Sequence, residues 1–112
     1  MILPEVSCLL RIFISENDHL KGKPLYELIV KKARELNIAG TTVLRGILGF
    51  GATSRIHSAR LLTLSDDLPL VIEIVDKEER INLLLPFLDE NMKTGLVTME
   101  NIKVLKYGHT KN

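Results

Sequence analysis

Pro24-Leu25-Tyr26-Glu27-Leu28-Ile29-Val30-Lys31-Lys32-Ala33-Arg34-Glu35-Leu36-Asn37-Ile38-Ala39-Gly40-Thr41-Thr42-Val43-Leu44-Arg45-Gly46-Ile47-Leu48 reads as a helix that hands over to a strand. Leu25, Leu28, Ile29, Ala33 and Leu36 recur at helical spacing, so one face of the segment is apolar. Pro24 has a fixed φ and no N–H to satisfy, which suits the first helical turn. Lys31, Lys32 and Arg34 crowd the later turns, where cations meet the negative end of the helix dipole, and Gly40 offers a left-handed stop. Thr41 to Leu48 is then rich in strand-forming residues. Gly46 interrupts it, and a glycine inside a strand marks a bulge or a close backbone approach.

Working outward, Ser7 to Ser15 carries Cys-Leu-Leu-Arg-Ile-Phe-Ile and is the first strand, followed by a polar turn from Glu16 to Gly22. Downstream, Arg60 to Leu64 extends a hairpin arm, Ser65-Asp66-Asp67-Leu68-Pro69 is a turn, and Leu70 to Val75 is the third strand. Glu73 is its lone acid and is expected to pair with Lys103 or Lys106 of the last strand, a structural role. Asp76 is placed to cap a second helix with Glu79 three positions on, and Ile81, Leu84, Leu85 and Leu88 fall on one face. Pro86 conflicts with that helix and predicts a kink or an early stop. Thr94-Gly95 is a break, and Leu96 to Tyr107 is the final strand before a polar tail.

The order is βαββαβ. Two helices separated by strands in this way give an antiparallel four-stranded sheet with both helices on one face, the ferredoxin-like α+β arrangement. The other face lacks a covering layer. Leu9, Val71, Val97 and Met99 are expected there, so an oligomer is predicted.

A chain of 112 residues matches a single domain with one core, residues 1–112, burying about two thirds of its unfolded surface. The net charge of +1 supplies no global field toward nucleic acid or membrane, so any basic site must be local. Cys8, the single cysteine, has no intrachain partner and reads as a small core residue. No signal-peptide pattern and no apolar run near the ~20 residues that span a bilayer is present, so a cytoplasmic location without membrane insertion is expected.

Function is expected where the second strand ends. Arg45 to Arg60 reads Arg-Gly-Ile-Leu-Gly-Phe-Gly-Ala-Thr-Ser-Arg-Ile-His-Ser-Ala-Arg, and from Leu36 to Ser65 the chain has no Asp or Glu although it holds 14 in all. Glycines let backbone amides approach a ligand, and arginine forks match phosphate or carboxylate, so an anion is the natural guest. The bland alternative is a long hairpin with solvated arginines. A loop of more than ~12 residues without structure of its own is uncommon unless it binds something, which favours the functional reading. Gly46 to Gly51 has the spacing of a Walker loop, but in the Ala52-Thr53 that follows Ala52 stands where the essential Lys is required. Gly49-Phe50-Gly51-Ala52-Thr53-Ser54 likewise misses a dinucleotide fingerprint. Arg45 points into a cleft or snorkels to water; Arg55 and Arg60 are exposed at rest; Phe50 stacks on a planar ligand or plugs the loop. His19, His57 and His109 have no metal-ligand spacing, and Ser54 near His57 is no catalytic pair.

Gly22-Lys23-Pro24-Leu25-Tyr26-Glu27, Gly40 to Gly51, Asp67-Leu68-Pro69 and Val75-Asp76 together resemble the prokaryotic family known as the domain of unknown function one hundred and ninety, over roughly Leu9 to Lys106. The Arg-Gly-x-x-Gly-Phe-Gly run with its following His-containing loop is the most specific part. That family is similar to the PII-like signalling proteins. The resemblance implies a ferredoxin-like subunit in a homotrimer whose sheets face inward. It implies effectors such as adenine nucleotides between subunits at the loop root, and a loop that reaches a partner protein, in some systems a membrane transporter. The site residues so implied are Arg45, Gly46, Gly49, Phe50, Gly51, Arg55 and Arg60, with Lys103 and Lys106 of the final strand suggested by position. No tyrosine lies in the loop, the tyrosines being Tyr26 and Tyr107, so uridylylation is not implied.

The leading expectation is a non-enzymatic trimeric sensor of an anionic small molecule. A ligand-free adaptor that docks by its loop is the alternative. A nucleic-acid module is opposed by 4% aromatic content, and turnover of a nucleotide would be needed to argue for an enzyme.

Overall fold

The computed structural model describes residues 3–50 and 68–108. Strand β1 (Val6–Ser15) is followed by a small hairpin of β2 (His19–Leu20) and β3 (Lys23–Pro24), helix α1 (Leu25–Glu35) and strand β4 (Gly40–Arg45). Strand β5 (Pro69–Asp76), helices α2 (Glu78–Ile81) and α3 (Leu85–Asn91), and strand β6 (Leu96–Lys103) complete the order. The sheet runs β4-β5-β1-β6 with every neighbouring pair antiparallel, which is the ferredoxin-like topology expected from the element order.

Alternation decides which face is buried. Cys8, Leu10, Ile12 and Ile14 of β1 and Leu70, Ile72 and Ile74 of β5 point to one side, where they meet Leu25, Ile29 and Ala33 of α1 and Ile81, Leu84 and Leu88 of the second helical layer. Each of the larger side chains gains about 1.5–3 kcal/mol by leaving water. The opposite face carries Leu9, Arg11 and Phe13 of β1 and Val71, Glu73 and Val75 of β5, all half-buried, with Leu44 and Leu96 exposed on the flanking strands. No element among the described residues covers it. Val97 and Met99, expected on this open face, stand opposite Ile12 and Leu10 and so belong to the helix side. They are exposed because β6 is an edge strand.

Several local expectations are corrected. The second helix is two short helices, and Pro86 sits in the first turn of α3, where its missing N–H costs nothing. Asp76 closes β5 rather than capping α2 through its side chain: its carboxylate accepts from the backbone N–H of Ala39 at 2.9 Å and of Lys77 at 2.6 Å. Glu73 pairs with Arg11 directly across the ladder, at 3.0 Å, and Arg11 also holds Glu100 at 2.6 Å. The polar turn after β1 contains the β2–β3 hairpin, whose tip residues Lys21 and Gly22 both have positive φ, 53° and 80°. The second strand ends at Arg45 instead of Leu48, and the last at Lys103 instead of Tyr107.

Candidate functional site at the root of the glycine loop

Strand β4 runs out at Arg45, and Gly46 carries the ladder one residue further by donating its N–H to Pro69 O at 2.7 Å. A Cβ on Gly46 would lie 2.8 Å from Pro69 Cγ, and one on Gly49 would lie 3.2 Å from it. Neither glycine has a positive φ, so what both positions require is space over the proline ring. The close backbone approach expected of Gly46 is thus an approach to Pro69. Ile47, Leu48 and Phe50 then stand exposed, Phe50 at 68%. Phe50 is therefore not a buried plug among the described residues.

Arg45 is not alone. Its Nε donates to Glu16 Oε1 at 3.1 Å, and its Nη2 pairs with the same oxygen. Glu16 Oε2 accepts from the Leu68 N–H at 3.2 Å, and the Glu16 N–H donates to Leu68 O at 2.9 Å. A single carboxylate, 14% exposed, therefore ties together the end of β1, the outgoing arginine and the returning chain at residue 68. Arg45 itself is 64% exposed. Two of the five guanidinium N–H groups face Glu16, and the exposed side of the fork can meet an anion in planar, paired fashion.

The other basic candidates lie elsewhere. Lys103 stands opposite Val6 at the far end of β6 and meets Glu5 at 3.5 Å, with both side chains largely exposed. Lys106 is exposed beyond that strand. Arg45 faces Leu70, which faces Ile14 at the other end of β1. Three strand spacings across and eight residues along β1 place the backbones at Arg45 and Lys103 about 30 Å apart on one chain. Gly51, Arg55, His57 and Arg60, together with the hairpin arm from Arg60 to Leu64, lie outside the described residues, as does His109.

Sequence reasoning missed Glu16. The signal was present: once β1 and β5 pair with Ser15 opposite Pro69, Glu16 falls beside Leu68 and within reach of the end of β4. The acid-free window around Arg45 is acid-free along the chain and not in space.

This architecture is the fold of solved PII-like structures. The fold matches that of CPII of Thiomonas intermedia K12, a nitrogen regulatory PII-like protein, with 90% of both chains covered. The TM-score is 0.64 at 17% identity for CPII bound to ADP, AMP and acetate, and 0.65 at 19% identity for CPII bound to ADP and bicarbonate. The chain belongs to the DUF190 family, described as an uncharacterized ACR, whose sequence pattern matches residues 7–104. It is 41% identical over 99 residues to a UPF0166 protein of Aquifex aeolicus, covering 87% of this chain and 91% of that one. It is 37% identical over 99 residues to a UPF0166 protein of Methanocaldococcus jannaschii, covering 88% and 91%.

Proposed function

We propose that the chain is a regulatory sensor that assembles as a homotrimer through its open sheet face and binds an anionic small molecule, an adenine nucleotide, between subunits at the loop root. The likeness to CPII, whose structures hold ADP and AMP, over nine tenths of both chains carries this reading. Arg45 supplies the fork for phosphate, and Gly46 to Gly51 bring main chain close to it. Lys103 and Lys106 come from a neighbouring subunit, since on one chain they lie too far from Arg45 to share a ligand. Arg55 and Arg60, which lie outside the described residues, are the further cations of the proposed ligand site. The ligand acts by biasing the loop, which needs a differential affinity of about 1–3 kcal/mol between loop states.

The test is isothermal titration of size-verified protein with AMP, ADP, ATP and cyclic nucleotides, with and without magnesium. Saturable binding near one ligand per subunit, weakened in Arg45→Ala without loss of fold, is the expected result. Silence across the panel would shift the function to the second reading, a ligand-free adaptor that docks by its loop on a partner protein such as a membrane transporter. The exposed run of Ile47, Leu48 and Phe50 favours that reading.

A further inference from the structure

On the helix side of the molecule, across the sheet from the open face, the β2–β3 hairpin, α1 and α3 border an open groove of about 430 Å³. Leu28 and Phe87, both half-buried, form its apolar floor together with Leu20. Lys21 and Lys23 stand on the hairpin side and Lys31 and Lys32 on the helix side, against one acid, Glu35. Among the described residues none of the four lysines is ion-paired, and Lys32 lies 6.0 Å from the centre of the Phe87 ring.

Two features make this more than a solvated helix face. Lys21 occupies the first position of a two-residue hairpin turn at φ 53°, a conformation that Asn, Asp or Gly adopts at less cost. The turn thus holds a lysine in a strained position at the rim of the groove. Charge is also concentrated: four lysines against one glutamate give the groove a local excess of three positive charges, while the whole chain carries only +1.

We propose that this groove is a docking site for an acidic segment of a partner protein, with one apolar side chain of that segment seated on Leu28 and Phe87 and its carboxylates met by Lys21, Lys23, Lys31 and Lys32. All four cations are lysines, which attract carboxylates as mobile point charges and lack the planar fork that selects phosphate. The apolar residues of the groove, Leu20, Leu28 and Phe87, come from three different elements and lie among the lysines, an arrangement that suits a short segment carrying one apolar side chain between acids. The groove lining shares no residue with the open sheet face or with Arg45, Gly46 and Gly49 at the loop root.

The probe is a short dye-labelled peptide of Asp and Glu around one central Leu, followed by fluorescence anisotropy with the full chain. A counterpart with Lys in place of the acids and a version with Ser in place of the Leu serve as controls. Saturable binding of the acidic peptide that weakens with salt, weakens again without the Leu, and falls roughly tenfold in Lys21→Glu/Lys23→Glu/Lys31→Glu is expected. The neutral variant Lys21→Gln/Lys23→Gln/Lys31→Gln should fall between the two, and all three positions are exposed, so thermal melting should match the parent chain. Acidic-peptide binding that is absent, or equal in parent and variants, overturns the proposal. So does lysine-dependent binding to vesicles of phosphatidylcholine and phosphatidylserine without peptide binding, which would assign the groove to a membrane surface. Nucleotide titrations of the same variants should be unchanged, which keeps this result separate from that at Arg45.

Discussion

Gly46→Ala separates two explanations of the glycine run, room for a proline and room for a ligand. The added Cβ would stand 2.8 Å from Pro69 Cγ and 3.4 Å from Pro69 O. The proline ring cannot swing away, because its own carbonyl accepts the Gly46 N–H and its chain opens β5. Overpacking of this kind costs about 1–3 kcal/mol. For a chain of this size that lowers the melting temperature by about 4–12 °C. Gly49→Ala, at 3.2 Å from the same atom, should cost about 1 kcal/mol or less. The assay is thermal and urea unfolding at fixed protein concentration, since assembly of the kind proposed would contribute to apparent stability. Pro69→Ala is added to complete a double-mutant cycle. In the Pro69→Ala background the cost of Gly46→Ala should largely vanish. A Gly46→Ala chain as stable as the parent, or a loss that Pro69→Ala does not relieve, would refute the packing account. Loss of nucleotide affinity at unchanged stability would return the glycine to the ligand.

Asp76→Ala should cost about 2–4 kcal/mol in urea unfolding, because the fully buried carboxylate is the acceptor for two backbone N–H groups that have no replacement. Burial, with Glu78 and Glu79 nearby, pushes the Cys8 thiol up, so the folded chain keeps a proton that the unfolded chain loses above about pH 8.5. That contribution is intact at neutral pH and is lost as pH rises through the folded value; the urea midpoint should therefore fall more steeply in this range for the parent chain than for Cys8→Ala. Glu16→Gln should tighten ADP binding by up to roughly fivefold in titration calorimetry, since it removes the charge that competes for a mostly exposed Arg45. Mixing Arg45→Ala with Lys103→Ala/Lys106→Ala after denaturation and refolding should restore part of the binding capacity that each has lost, because mixed assemblies contain some sites with both halves intact; no recovery would place the site within one chain.

The sheet was legible in the sequence because its central strands alternate without interruption. Cys8, Leu10, Ile12 and Ile14 against Leu70, Ile72 and Ile74 leave one register that buries every large residue, and a slip by one would bury Arg11 and Glu73 instead. The first helix was legible from Leu25, Ile29 and Ala33, all of which are buried. Element ends were less so. Leu96 to Tyr107 alternates well enough to read as one strand, yet the ladder ends at Lys103 opposite Val6, with one further bond from the Val104 N–H to Glu5 O, a limit set by another segment. At the site, Arg45 and Gly46 were singled out from the sequence, although the strand was expected to run on to Leu48, and their neighbours Glu16 and Pro69 come from 29 and 23 residues away along the chain. Local composition carries no trace of such contacts. The tertiary pairing of β1, β4 and β5 creates them.

That same pairing constrains how any shared site can form. Arg45 ends one outer strand, and Lys103 ends the other at the opposite end of the sheet. A two-fold contact brings like surfaces together and would set β4 against β4 or β6 against β6. A head-to-tail contact instead sets the β4 end of one copy against the β6 end of the next, and repeating it must either close a ring or run on as a filament. The open face supplies the reason to close. Leu9, Phe13, Val71 and Val75 flank a charged centre in which Arg11 is already held by Glu73 and Glu100 of its own chain, so its guanidinium needs no partner from a neighbour. Burying that face around an axis removes apolar surface from water without stranding the guanidinium. In the proposed trimer it would also repeat the Arg45 to Lys103 junction once per subunit, so titration of a ring of this kind should saturate near one ligand per chain.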